Sequence, residues 1–260
     1  MSISFEFPMA IQLGSNRLLL HGFFEAIGIF IAFRYYLWLK KLQIDLIPKD
    51  HRIWIIIAAA LGSVFGSRLL GAMEDIPAWL SAPDHFAYFW GNKTLVGGLL
   101  AGLIAVEVTK MILHEKQKSG DLFVFPLLLG MIIGRIGCFT AGVYEETYGL
   151  PTRFPLAMDL GDHIYRHPVV LYEIIFLIGL SILLKQLSKR VNLEQGALFK
   201  IMLIAYLTFR FLLDFIKPGW RPLAGLGMIQ LSCLLGLIYY GRYLIKPSRF
   251  LSPSNPSHAR

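Results

Sequence analysis

Seven predominantly apolar stretches of about twenty residues run along this chain, at about 18–40, 52–72, 94–113, 121–141, 168–187, 197–215 and 223–245. A helix needs about 20 apolar residues to cross a hydrocarbon core roughly 30 Å thick. Runs such as 53–61 and 174–184 have no polar face, which suits lipid contact better than an amphipathic position on a soluble protein. Only 16% of the 260 residues are charged, against roughly 25% in a soluble domain, so too few polar groups remain to coat a globule in water. The chain is therefore predicted to be an all-α, polytopic membrane protein with seven transmembrane helices. One membrane domain covers 1–246, with outer loops at about 73–93 and 142–167 and a disordered cytoplasmic tail at 247–260.

Lysine and arginine set the orientation, because cytoplasmic loops carry the basic excess. Fifteen of the 25 basic residues fall on one side, in groups around Lys40 to Arg52, Lys110 to Lys118, Lys185 to Lys200 and Arg242 to Arg260. Six fall on the other side: Arg17, Lys93, Arg153, Arg166, Lys217 and Arg221. This places the N-terminus outside and the C-terminus in the cytoplasm. The formal charge of +8 then lies on the cytoplasmic membrane face and gives no support to nucleic-acid binding. The first 17 residues include Glu6 and Pro8 and lack a basic stretch before an apolar run, so no cleavable signal peptide is read there. Cys138 and Cys233 lack the spacing of a metal site or a disulfide framework and are expected to be small apolar fillers. No metal and no cofactor is expected. The outer loops, rich in aromatic residues and proline, are expected to fold as interfacial half-helices.

Charge inside a bilayer costs from about 3 to more than 10 kcal/mol, so buried polar residues mark a cavity or a partner. Six of the seven helices carry such a group at a similar outer depth. These groups are His21 and Glu25, Arg68, Arg135, Tyr172 and Glu173 just below His167, Arg210 and Asp214, and Gln230. His21 and Glu25 share a helix face at i, i+4, as do Arg210 and Asp214. Arg135 has no acid within one turn, so a remote acid such as Glu146 or Glu173, or a bound anion, must balance it. Two arginines at one depth offer planar forks suited to phosphate oxygens. Structural alternatives exist for several of these: Arg34 snorkelling to the cytoplasmic end, Arg68 as a strut with Glu74, Arg210 with Asp214 as a plain ion pair, and His21 as a packing residue. Glycines at 62 and 66, 98 and 102, and 130 and 134 have the spacing of close helix contacts and predict tight packing of spans two, three and four.

These residues also carry a resemblance. Gly134-Arg135-Ile136-Gly137-Cys138-Phe139, leading through Gly142 to Gly149, is similar to the signature G-R-x-G-N-F-x-N-G-E-x-x-G of the prolipoprotein diacylglyceryl transferase family. Arg166-His167-Pro168 through Leu171-Tyr172-Glu173 resembles its R-H-P-S-Q-L-Y-E, and Phe209-Arg210 through Asp214 resembles its F-R-x-x-x-E run. Gly66-Ser67-Arg68, Gly97-Gly98-Leu99 and Gln230 follow in the expected order. The departures are Cys138 for the signature asparagine, Thr140 or Ala141 for the second asparagine, and three extra residues between Gly142 and Gly149, so that Glu146 meets the signature acid only after a gap. Val96 stands where the family has a histidine, and His21 where it has a tyrosine.

The resemblance implies a transferase of the bacterial plasma membrane that moves diacylglyceryl from phosphatidylglycerol to the lipobox cysteine in a prolipoprotein signal peptide. A thioether forms and glycerol phosphate leaves. Arg135 and Arg210 would hold the phosphate. His21, oriented by Glu25, would accept the thiol proton, with His167 the runner-up. Arg68, Gly98, Gly142, Glu146, Gly149, His167, Tyr172, Glu173, Asp214 and Gln230 would line the substrate site. The partners implied are phosphatidylglycerol, the prolipoprotein and membrane lipids. A lipid-binding relative without turnover, a transferase with another acceptor, and a small-anion transporter are the competing readings.

Overall fold

The structure is a computed structural model that describes residues 7–13, 16–42, 45, 47–118, 120–145 and 147–251, with backbone alone for those between 11 and 18. Ten α-helices occur among the described residues: α1 (Leu20–Leu42), α2 (Lys49–Met73), α3 (Ile76–Ser81), α4 (His85–Gly91), α5 (Leu95–Ile112), α6 (Val124–Ala141), α7 (Val169–Arg190), α8 (Ala197–Leu213), α9 (Met228–Tyr239) and α10 (Gly241–Ile245). Two small antiparallel hairpins accompany them. Strands β1 (Ala10–Leu13) and β2 (Asn16–Leu19) pair Ala10 with Leu19, and β3 (Met158–Asp159) and β4 (Tyr165–Arg166) pair Met158 with Arg166. The chain is a polytopic, all-α membrane protein. Five helical segments are long and apolar enough to cross a bilayer: Leu20–Leu42, Lys49–Met73, Leu95–Ile112, Gly120–Tyr144 and Val169–Arg190. Their outer faces carry exposed Ile29, Phe30, Trp54, Leu61, Ile104, Ile175 and Leu183, which only a lipid environment would solvate without cost.

The last two expected spans differ from the expectation. The stretch 197–215 carries Lys200, Arg210 and Asp214; α8 ends at Leu213 and a 3-10 turn, Asp214–Ile216, follows. The stretch 223–245 is not one helix. Leu223 bridges Leu226 through a turn with Ala224 and Gly225 at positive φ, and α9 starts only at Met228 and breaks at Tyr240. Hydropathy cannot see that interruption, since Leu223, Leu226 and Met228 are as apolar in a turn as in a helix.

Two helix pairs frame the site. α2 packs on α5 through small residues: a Cβ on Gly66 would overlap Ala101 and lie 2.7 Å from the Gly97 carbonyl oxygen, and a Cβ on Gly102 would overlap the Ser63 hydroxyl. α6 packs on α1, where a Cβ on Gly137 would lie 2.9 Å from Phe24 Cβ and 3.0 Å from the His21 carbonyl oxygen. The fourth span thus docks on the first, through Gly28, Gly130 and Gly137. Gly134 meets nothing within 4 Å, so it takes no part in the packing its spacing suggested. Replacing Gly66 with leucine is expected to wedge α2 from α5 and destabilise the fold by about 1–3 kcal/mol, the usual range for overpacking. A thermal midpoint in detergent equal to the unsubstituted protein's would contradict this packing.

A buried core joins α6, α7, α8 and α9 through Leu128, Leu177, Leu184, Leu203, Leu207 and Ile229, and Phe176 stacks on Phe209 with ring centroids 3.9 Å apart. At the far end, Asp121 accepts hydrogen bonds from the Gly196 and Phe199 amides at 2.7 and 2.9 Å. It thereby satisfies donors that the start of α8 leaves open.

The loop from 73 to 93 folds as the short helices α3 and α4, capped by Asp75 and Asp84, so the helices expected there are present. The loop from 142 to 167 does not; its described residues form a 3-10 turn, Gly142–Tyr144, the β3–β4 hairpin and a Pro151–Arg166 bridge, with no α-helix among them. At 247–260, Pro247–Phe250 form a 3-10 turn and Leu251 bridges Leu193, while 252–260 lie outside the described residues.

Candidate functional site

Arg135 stands two turns from the end of α6, Glu173 one turn into α7 and Arg210 one turn from the end of α8. Packing of these three helices brings the side chains to one point. Arg135 Nε lies 2.9 Å from Glu173 Oε2, and Arg210 Nη1 reaches the same oxygen at 3.4 Å. The other oxygen of Glu173 accepts a 2.7 Å hydrogen bond from the Tyr206 hydroxyl. Arg210 Nη2 is 3.8 Å from Asp214 Oδ1. Arg135, Arg210 and Glu173 are 7%, 6% and 1% exposed. One carboxylate therefore holds two guanidinium groups together, although like charges repel. The remote acid that Arg135 requires is Glu173; Glu146, the other acid considered, lies outside the described residues. A guanidinium offers five donors, and these contacts leave several on each arginine for an anion.

A second cluster adjoins the first through Cys138. Its thiol accepts from Arg135 Nη1 at 3.6 Å and stands beside the imidazole of His21. His21 Nε2 is 3.2 Å from Glu145 Oε1, 3.2 Å from Lys93 Nζ and 3.7 Å from Glu25 Oε2, while Lys93 Nζ is 2.6 Å from that same Glu25 oxygen. The i, i+4 pair at 21 and 25 does meet, but Glu25 is shared with Lys93, and Glu145 is the nearer acid to His21. Cys233, fully buried in the core, is the apolar filler expected. Cys138 is not: it touches two polar side chains and lines a small cleft together with Phe139, Gly142, Thr147 and Tyr148.

The remaining expected site residues are spread around these clusters. His167 Nδ1 lies 3.2 Å from the Tyr172 hydroxyl. Arg68 places its guanidinium 5.5 Å from the centre of the Trp90 ring, a cation–π contact. Gly98 packs against Ser63 and Ser67 of α2. Gly142 ends α6 at φ +60°, where a Cβ would overlap the Leu160 carbonyl oxygen, and the Gly149 amide donates to the His167 carbonyl at 3.2 Å. Gln230, wholly buried, accepts from the Gly227 amide at 2.9 Å and from Arg221 Nη1 at 3.1 Å. Val96 is buried in the core at 1% exposure, so its position offers no proton acceptor.

Several contributors escaped the sequence reading. Tyr206 carried a usable signal, one turn before Arg210 on the same face, and so did Cys138, three residues after Arg135. Lys93, Glu145 and Lys217 carried none, because they lie in loops whose inward turn is set by tertiary contacts.

Fold and site together define a multi-pass membrane protein with a buried centre in which two arginines share one glutamate. Residues 8–245 match the family described as prolipoprotein diacylglyceryl transferase, and the chain belongs to that family. It is 32% identical over 248 residues to the phosphatidylglycerol--prolipoprotein diacylglyceryl transferase of Methylobacillus flagellatus, covering 88% of this chain and 89% of the relative. The protein of the same name from Cupriavidus metallidurans is 31% identical over 243 residues, 88% of this chain and 86% of the relative. That of Clostridium tetani is 26% identical over 252 residues, 94% and 98%.

Proposed function

We propose that this protein transfers the diacylglyceryl group of phosphatidylglycerol to the lipobox cysteine of a prolipoprotein. Family membership supports the reaction, and the observation that carries its placement is the sharing of Glu173 Oε2 by Arg135 and Arg210. In the reaction a C–S bond forms at the glyceryl carbon and the C–O bond to phosphate breaks. The thiol proton leaves sulfur, and the C–O electron pair goes to glycerol phosphate. Arg135 and Arg210 hold the phosphate and stabilise its growing charge, the role of preorganised donors in a low-dielectric site. His21 accepts the thiol proton, and Glu25 and Glu145 favour the imidazolium that results. Glu173, Tyr206 and Asp214 orient the arginines. Arg68, Gly98, Gly142, Glu146, Gly149, His167, Tyr172 and Gln230 shape the surrounding substrate site.

The reading includes a bacterial plasma-membrane location, one membrane unit over 1–246, seven spans and an outside N-terminus. For the seventh span, α9 and α10, on either side of the break at Tyr240, supply 12 and 5 residues, about 25 Å of helix at 1.5 Å per residue, and the positive-inside bias supports the orientation. Labelled phosphatidylglycerol with a lipobox peptide is the direct test. Thioether formation supports the transferase, whereas lipid binding without turnover, or anion flux in vesicles without transfer, overturns it.

His21→Gln is expected to lower kcat/KM by about 10²–10⁴, the usual worth of a positioned base, and to flatten its rise with pH. An unaltered pH profile would remove His21 from the role.

A further inference from the structure

Lys217 is buried at 6% exposure, yet the mechanism above gives it nothing to do. It follows the 3-10 turn Asp214–Ile216, and its amide donates to the Asp214 carbonyl at 3.2 Å. Arg210, Asp214 and Lys217 are spaced at i, i+4 and i+7, so they follow one side of the helix as it runs out. Arg221 clamps the backbone there, its Nη2 donating to the Asp214 and Lys217 carbonyls at 2.7 and 3.0 Å and its Nη1 to Gln230. These contacts hold the backbone that carries Lys217.

The charges around that ammonium come from every neighbouring element. Arg210 and Asp214 lie on its own helix and turn, Arg135 on α6 and Glu74 just past α2, and Arg210 is the strongest of these influences. Among the described residues no carboxylate lies within 4 Å of Lys217 Nζ; of the two acids that act on it, Glu74 is the stronger influence, and Asp214 already faces Arg210. A buried ammonium without a close counter-charge is costly. Here the ammonium feels two arginines that share a single glutamate, Arg210 more strongly than Arg135.

We propose that Lys217 is a third cation of the lipid-phosphate site, donating to an oxygen of the leaving glycerol phosphate alongside Arg135 and Arg210. The inference rests on the transferase reading and adds a residue to it. Burial and the nearby Arg210 push the Lys217 ammonium down to about 8, so the ligand would lose one of its donors within a pH range open to assay.

The sign of the effect separates the possible roles. A phosphate-binding lysine works charged, so its contribution is complete well below pH 8, half lost at 8, and falls about tenfold per pH unit above it. A lysine acting as base would do the reverse. The experiment compares kcat/KM for phosphatidylglycerol between Lys217→Arg and the unsubstituted protein from pH 7 to 9.5, with one lipobox peptide. Taking the ratio cancels the ionisation of the peptide thiol. Arginine stays charged throughout, so the ratio is expected to rise about tenfold by pH 9 to 9.5. A flat ratio overturns the proposal as a structural lysine would, and a falling ratio overturns it in favour of a base.

Product inhibition by glycerol phosphate gives a second readout that needs no variant. Its Ki in the unsubstituted protein is expected to weaken as pH passes 8, and a Ki constant from pH 7 to 9.5 sinks the inference. Absence of any transfer by the unsubstituted protein removes the transferase reading itself, and the inference with it.

Discussion

Arg135→Ala is expected to insert and fold yet lose diacylglyceryl transfer by at least 10²–10³, or about 3–4 kcal/mol of transition-state stabilisation. The substitution leaves Glu173 paired with Arg210 and still bonded to Tyr206, so the three-helix junction keeps a closed charge pair. The phosphate loses the fork that reaches toward both Cys138 and Glu173. The loss should fall on kcat as well as KM, because charge on the leaving oxygen grows along the reaction. Arg135→Lys should recover only part of it, since an ammonium cannot offer two parallel donors. Transfer by Arg135→Ala within a few fold of the unsubstituted protein would refute the phosphate role.

Glu173→Ala is expected to damage the fold as well as the chemistry. It takes from the buried Arg135 its carboxylate, leaves Arg210 with Asp214 alone at 3.8 Å, and leaves the Tyr206 hydroxyl without its acceptor. Removing one member of a buried ion network commonly costs about 3–5 kcal/mol, because the surviving charges stay buried without compensation. A large fall in the thermal midpoint in detergent, with less protein in the membrane fraction, is the expected result. Glu173→Gln keeps the shape and one acceptor but not the charge, and should fall between. An unchanged midpoint for the alanine variant would mean that Asp214 or another acid balances both arginines, and the central role of Glu173 would fail.

Legibility in the sequence differed by element. Spans one to five could be read because an uninterrupted apolar run of that length has few other stable environments. α8 and α9 were less legible, since one carries three charged residues and the other is broken by a turn whose residues are all apolar. The β1–β2 hairpin was not foreseen; its residues read as the approach to the first span. Within the site, the residue types and depth of Arg135, Arg210 and Glu173 were visible, whereas the choice between Glu173 and Glu146 as partner was not. Cys138 was misjudged because the sequence offers only its type, and a thiol is apolar or polar according to what faces it.

The sequence by itself determined the membrane character of the chain, the inward placement of its arginines and the family pattern they follow, because hydropathy and motif spacing are properties of neighbours along the chain. Only the tertiary structure decided that one glutamate on α7 serves arginines on α6 and α8, that a cysteine sits between Arg135 and His21, and that Lys217 turns inward. Each of these depends on the rotation and register of helices far apart in sequence. That register is set where side chains of several helices interlock, at points such as Gly137 against α1, and no local pattern encodes it.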